Sequence, residues 1–118
     1  NPQENLLFRV ENLKEIPFAR EYLDKPKIEY ARDWWKQYNW KGVDTVMQFT
    51  NSKGLTGYRA KYKDVRGATP FDHVFFEVPG RSELVIWMSG KLLSQETFDK
   101  IVDSVSWDTR TSQSVKIP

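Results

Sequence analysis

The side chains best suited to proton transfer are neighbours. Asp72 precedes His73, which is the one histidine in the chain. An imidazole titrates near neutral pH and a carboxylate can orient it, so the pair invites a general-base reading. Adjacent residues on a strand point to opposite faces, however, and Asp72 would then not orient His73 directly. No nucleophile-elbow pattern supplies a third partner. With one histidine and no cysteine, thiolate nucleophiles, disulfides, thiolate zinc and multi-histidine metal sites are excluded. The acids Glu77, Glu83, Glu96, Asp99 and Asp103 lack calcium-loop spacing, and glycine-rich phosphate loops are absent. The sequence therefore assigns no catalytic residue, no metal and no cofactor. A small enzyme centred on His73 stands as one alternative.

Two clusters could bind rather than react. Trp34, Trp35, Tyr38 and Trp40 form an aromatic group that could stack on sugar rings or anchor a protein interface. The same rings could equally fill a core poor in Leu and Ile. Trp34 and Trp35 lie about 100° apart on a helix, so they cannot both face one core point, and whichever sits at the boundary is the better ligand candidate. Arg59, Lys61, Lys63 and Arg66 form a basic run. Period-2 spacing puts the first three on one sheet face in steps of roughly 7 Å. That stripe could meet an acidic partner, or simply be the solvated face that alternation requires.

These residues must be held by elements the pattern also predicts. Residues 5–11 read as a first strand, with Leu6, Phe8 and Val10 on one face. Pro17 suits the first turn of a short helix over Phe18–Leu23. Asp24 is a plausible N-cap for the next helix, which spans Lys27–Tyr38 by its 3.6-residue period. After Gly42 the period changes to 2. Strands follow over Asp44–Thr50, Leu55–Asp64, Phe71–Val78 and Ser82–Met88, with turns at Asn51–Gly54 and Pro79–Gly80. Leu84–Met88 is apolar on both faces and reads as the most buried strand. Ser94 then caps an amphipathic helix with Phe98, Ile101, Val102 and Val105 on one face. Residues 108–118 are polar and lack periodicity, as a loose tail or linker remnant would. The expectation is a single α+β domain over residues 1–107. A mainly antiparallel four-strand meander, with a possible N-terminal strand, packs its helices on one face.

A length of 118 residues fits one domain. Aromatics make up 14% of the chain, with five Trp, which offsets a modest apolar fraction of 39%. A net charge of +2 is too small to point to nucleic acid. No apolar run reaches membrane-span length. The chain opens at Asn1 without a Met, as expected of a processed or trimmed chain, from which a signal or lipid anchor could have been removed.

Residues 71–107 (FDHVFFEVPGRSELVIWMSGKLLSQETFDKIVDSVSW) resemble the C-terminal end of PsbP-like domains. There a strand, a tight turn, a buried strand and a closing helix end in an I-x-x-S-hydrophobic stretch, which here is Ile101 to Val105. The resemblance implies an α-β-α sandwich around an antiparallel sheet. It also implies an extracytoplasmic domain, often lipid-anchored in bacteria, that binds proteins and does not catalyse. The matching positions are structural, so no functional residue transfers. The resulting expectation is a binding or scaffold domain of a bacterial envelope protein, with another protein as partner. A carbohydrate- or cell-wall-binding module using Trp34, Trp35 or Trp40 is the other alternative.

The closing helix gives a direct test. Val102→Asp would bury an unpaired charge and should cost several kcal/mol, on the order of the whole stability. Chemical denaturation should find the variant unfolded or nearly so. A cooperative wild-type-like transition would show that the helix face is misassigned.

Overall fold

Strands β4 (Asp72–Glu77) and β5 (Leu84–Ser89) are buried along nearly their whole length. A strand with no solvated face needs cover on both sides. In the computed structural model, which describes residues 6–108 and 114–116, that cover comes from opposite ends of the chain. Five strands form one antiparallel sheet in the order β1 (Leu7–Asn12), β5, β4, β3 (Thr56–Lys63), β2 (Gly42–Thr50). The meander runs β2 to β5 in sequence order, and β1 adds to the free side of β5. The α+β class and the antiparallel sheet are as the pattern predicts. The αβα layering implied by the resemblance is present as well; helices on one face only, the reading from strand pairing alone, are not, because β5 presents apolar side chains to both faces.

Side-chain alternation divides the interior in two. Val74, Phe76, Leu84, Ile86 and Met88 meet Phe98, Ile101 and Val102 of helix α2 (Gln95–Ser104). On the other face Phe75, Val85 and Trp87, with Tyr58, Ala60 and Tyr62, meet Ala19, Tyr22, Tyr30, Ala31 and Trp34. The result is an αβα sandwich. Ser94 caps α2 by accepting the Thr97 N–H at 3.2 Å. Among the described residues no helix is long and apolar enough to cross a membrane.

The N-terminal layer departs from the simple pattern. Pro17–Tyr22 is a 3₁₀ helix, with the proline at its start. Helix α1 covers Lys27–Asp33 only, and Trp34–Gln37 continues as a 3₁₀ turn. The tighter winding changes the direction of successive side chains. Trp34 turns inward and stacks between Tyr62 and Trp87, with interplanar angles of 13° and 19°. Asp24 does not cap α1; Pro26 occupies that position without a side-chain hydrogen bond.

Strand β1 reverses the expected burial. Phe8 and Val10 are 44% and 40% exposed, while Glu11 is buried. An edge strand has a neighbour on one side only, so its apolar residues need not be covered. At the C-terminus, Ser106–Asp108 pairs with Ser114–Lys116, Trp107 opposite Val115. Trp107 is buried in the α2-side core, and within the stretch read as a polar tail residues 114–116 form the partner strand of that pair. Asn5, residues 109–113 and residues 117–118 lie outside the described residues.

One amide joins the β2–β3 turn to α2. Asn51 Nδ2 donates to the carbonyls of Val102 and Val105 at 3.1 and 2.8 Å. Its Oδ1 accepts the N–H groups of Lys53 and Leu55 at 3.1 and 2.9 Å. Ser52 adds bonds to the Asp103 carboxylate and carbonyl. The last carbonyls of α2, which lack intrahelical partners, are thus satisfied from outside the helix. Asn51→Ala should strand several buried polar groups and lower stability by roughly 2–4 kcal/mol in urea denaturation. A loss below about 1 kcal/mol would show that water replaces the amide.

Candidate functional site

His73 lies at the centre of the N-terminal layer. It is 2% exposed, with the rings of Tyr62, Trp34, Phe71, Trp40 and Trp87 at centroid distances of 4.7 to 6.1 Å. Its Nδ1 accepts the Trp87 indole N–H at 3.3 Å. This leaves the proton of the neutral ring on Nε2, which has no hydrogen-bond partner. The surrounding rings offer π density instead. Burial pushes the imidazole down to about 4, only partly opposed by Asp72. The structure thus places His73 inside the packed interior, enclosed by rings.

The tryptophans divide between core and boundary. Trp34 is buried, and its indole N–H points at the Glu11 carboxylate, 3.3 Å from both oxygens. It therefore offers no face to a sugar. Trp35 is the boundary residue, half-buried, donating to the Arg32 carbonyl at 2.9 Å. Trp40 is also half-buried and packs on Tyr62, Phe71 and His73.

Sequence reasoning missed Glu11. Its buried carboxylate accepts from Arg9 Nε and the Tyr30 hydroxyl, both at 2.8 Å. Arg9 lies over the Trp87 ring at 4.5 Å and donates to the Tyr38 hydroxyl at 2.6 Å. These contacts stitch β1 to the N-terminal layer. Glu11 meets Tyr30 and Trp34, 19 and 23 positions away, and Arg9 meets Tyr38, 29 positions away, so local spacing does not reveal the cluster.

The basic run is not a free cationic stripe. Asp72, buried on the α2 side, holds Arg59 Nη1 at 2.7 Å and Lys61 Nζ at 2.6 Å. Asp99 of α2 adds a second contact to Arg59 at 3.0 Å, and Gln95 Nε2 donates to Asp72 at 3.2 Å. Burial alone would raise the Asp72 carboxyl, but Lys61 and Arg59 outweigh it and hold it below its usual value. Arg66 pairs with Asp64 outside the sheet, and Lys63 is exposed at the end of β3. The stripe fails because this is the face on which α2 lies. Gly57 shows how close the packing is, since a Cβ there would sit 2.6 Å from the Phe49 ring.

The open site lies elsewhere. A groove of about 580 Å³ runs between the segment before α1 and the β2–β3 and β4–β5 turns. Leu55, Val78 and Leu84 give it an apolar floor continuous with the α2-side core. Lys25, Lys27 and Arg81 supply positive charge and Glu77 a carboxylate. Tyr58 donates its hydroxyl to Glu77. Burial, and then Glu77 itself, raise the phenol, so it remains a donor. Lys27 Nζ also donates to the Tyr22 and Leu23 carbonyls at 3.3 Å, which fixes this wall to the preceding 3₁₀ helix. The volume is within the range of ligand sites in general. None of the sequence candidates lines it. The Asn51–Gly54 and Pro79–Gly80 turns, which contribute Gly54, Pro79 and Gly80, were its legible parts.

No family model, curated protein or solved structure matches the chain. Among the described residues no group of three His, Asp or Glu side chains could hold a metal ion.

His73 predicts a pH dependence. Its folded value, about 4, lies below the ordinary 6.5, so the unfolded chain binds the proton more readily. The stabilisation is complete above about pH 6.5 and is lost as pH falls towards 4, by roughly 3 kcal/mol in all. The window for Asp72 lies lower, below its ordinary 3.8. Denaturation midpoints should therefore fall between pH 7 and 4.5 in the wild type, with a much flatter profile in His73→Phe. Equal slopes for the two proteins would rule out His73 as the source.

Proposed function

We propose that this chain is a non-enzymatic binding domain that acts through contacts with another protein. The observation that carries the reading is the contrast between enclosed and open sites. Asp72, Glu11 and His73, the groups with the most chemical potential, are enclosed by structural partners. The groove between the two turns, by contrast, is open, apolar at its floor and charged at its walls. Its outer edge is formed by backbone at Gly54 and Gly80. Both have positive φ, and a Cβ on either would meet nothing within 4 Å. A partner can approach the main chain closely there.

Placement in a bacterial envelope, on a lipid anchor or as an exported domain, is part of the same proposal. It rests on the PsbP-like resemblance of residues 71–107, with which the αβα layering is compatible. A leader peptide or lipid-anchor signal encoded upstream of Asn1 in the full-length gene is the expected finding. A gene with neither would remove the envelope placement and leave the binding reading untouched.

Site-specific photo-crosslinking in the native cell tests the binding reading. A photoreactive residue at Ser82, inside the groove, should give a discrete protein adduct. The same residue at Asp44, exposed on the β2 edge, should not. Absence of a Ser82 adduct, or identical adducts from both positions, would sink the proposal.

A further inference from the structure

We infer that the groove takes an extended acidic segment of its protein partner, with an apolar side chain seated on the floor. The inference rests on the binding reading above and adds the chemistry of the ligand. Among the described residues three cations line the groove against one carboxylate, and that carboxylate already accepts the Tyr58 hydroxyl. Lys25 pairs with the exposed Glu21 at 3.4 Å and lies over the Tyr22 ring at 5.2 Å. Pairs of that kind are weak and exchange readily for a better-placed carboxylate. Arg81 Nε lies 3.2 Å from Glu83, and both side chains are only partly exposed, which places the guanidinium at the groove wall.

The floor argues for a side chain rather than a bare anion. Leu55, Val78 and Leu84 are at most 7% exposed and belong to the α2-side core, so the apolar surface is rigid and does not collapse on an empty site. The wall bearing Leu55 is held by Asn51, whose amide closes the turn and grips α2. Such preorganisation lowers the entropic cost of ordering a flexible segment. Nucleic acid and sugar fit less well, because among the described residues no aromatic ring lines the groove for a base or pyranose to stack on.

Fluorescence anisotropy with labelled synthetic peptides tests this on the intact chain. The first peptide places glutamates around one leucine in a Gly/Ser background. Two counterparts replace each glutamate by glutamine or by lysine. The acidic peptide should bind about tenfold more tightly than the glutamine one, and the preference should shrink with added salt. Lys25→Glu/Arg81→Glu should weaken the acidic peptide by about tenfold or more. Arg66→Glu/Lys100→Glu changes net charge equally at exposed sites away from the groove and should leave binding unchanged. Circular dichroism checks folding, and Lys25→Glu alone, with a smaller loss expected, serves if the double variant does not fold. Equal binding of the acidic and glutamine peptides overturns the inference. So does equal weakening by both double variants, or the absence of binding by any peptide. In those cases a persisting Ser82 adduct leaves the groove as a protein site of different chemistry. Loss of that adduct overturns the underlying reading as well.

Discussion

The structure depends on two central strands that have no face for water. Every residue of β5 is buried, and all but the last of β4. Water would meet an apolar surface on either side of a bare sheet, so both sides must be closed before the strands are stable. The chain meets this demand by dividing its helical residues. The N-terminal segments take one face and α2 the other. Polar groups that fall inside this interior are then compelled to find partners. Asp72 gathers Arg59, Lys61 and Gln95 on one side, and His73 accepts from Trp87 on the other. The residues that attract attention as chemistry are therefore consequences of packing.

The same constraint explains where function can reside. Side chains over the middle of the sheet are committed to its two covers. The ends of the strands are not, because turns need backbone exposure and close approach of neighbouring segments. The groove lies at such an end, between Gly54, Gly80 and the segment that leads into α1. Its charges come from residues 25, 27 and 81, which no periodic pattern connects.

Much of the fold was legible in the sequence for physical reasons. The change from a 3.6 to a 2 period after Gly42 located the meander, Pro79–Gly80 fixed a turn, and Ser94 marked the start of α2. What escaped were decisions made by tertiary contact. Trp34 leaves the α-helical wheel to reach Tyr62 and Trp87, which helix periodicity cannot encode. Glu11 goes inside while Phe8 stays out, the reverse of what hydropathy implies on an edge strand. The basic run had the correct common face in the strand pattern, but its neutralisation required knowing that α2 and Asp72 share that face. The groove escaped because it is made of short pieces from three distant parts of the chain.

Asn51 also bears on the order in which the molecule can assemble. Its bonds to Val102 and Val105 span 51 and 54 residues, so they close only when almost half the chain has been gathered. Contacts of such separation form slowly, since the entropy of closing a long loop must be overcome first. The hairpin around Asn51 can form locally, whereas α2 reaches its last-turn partners only on docking. Closing the sheet's second face and setting the groove wall are thus one event. A chain caught before it would expose the Val74–Phe76–Ile86–Met88 surface and lack a finished groove at the same time.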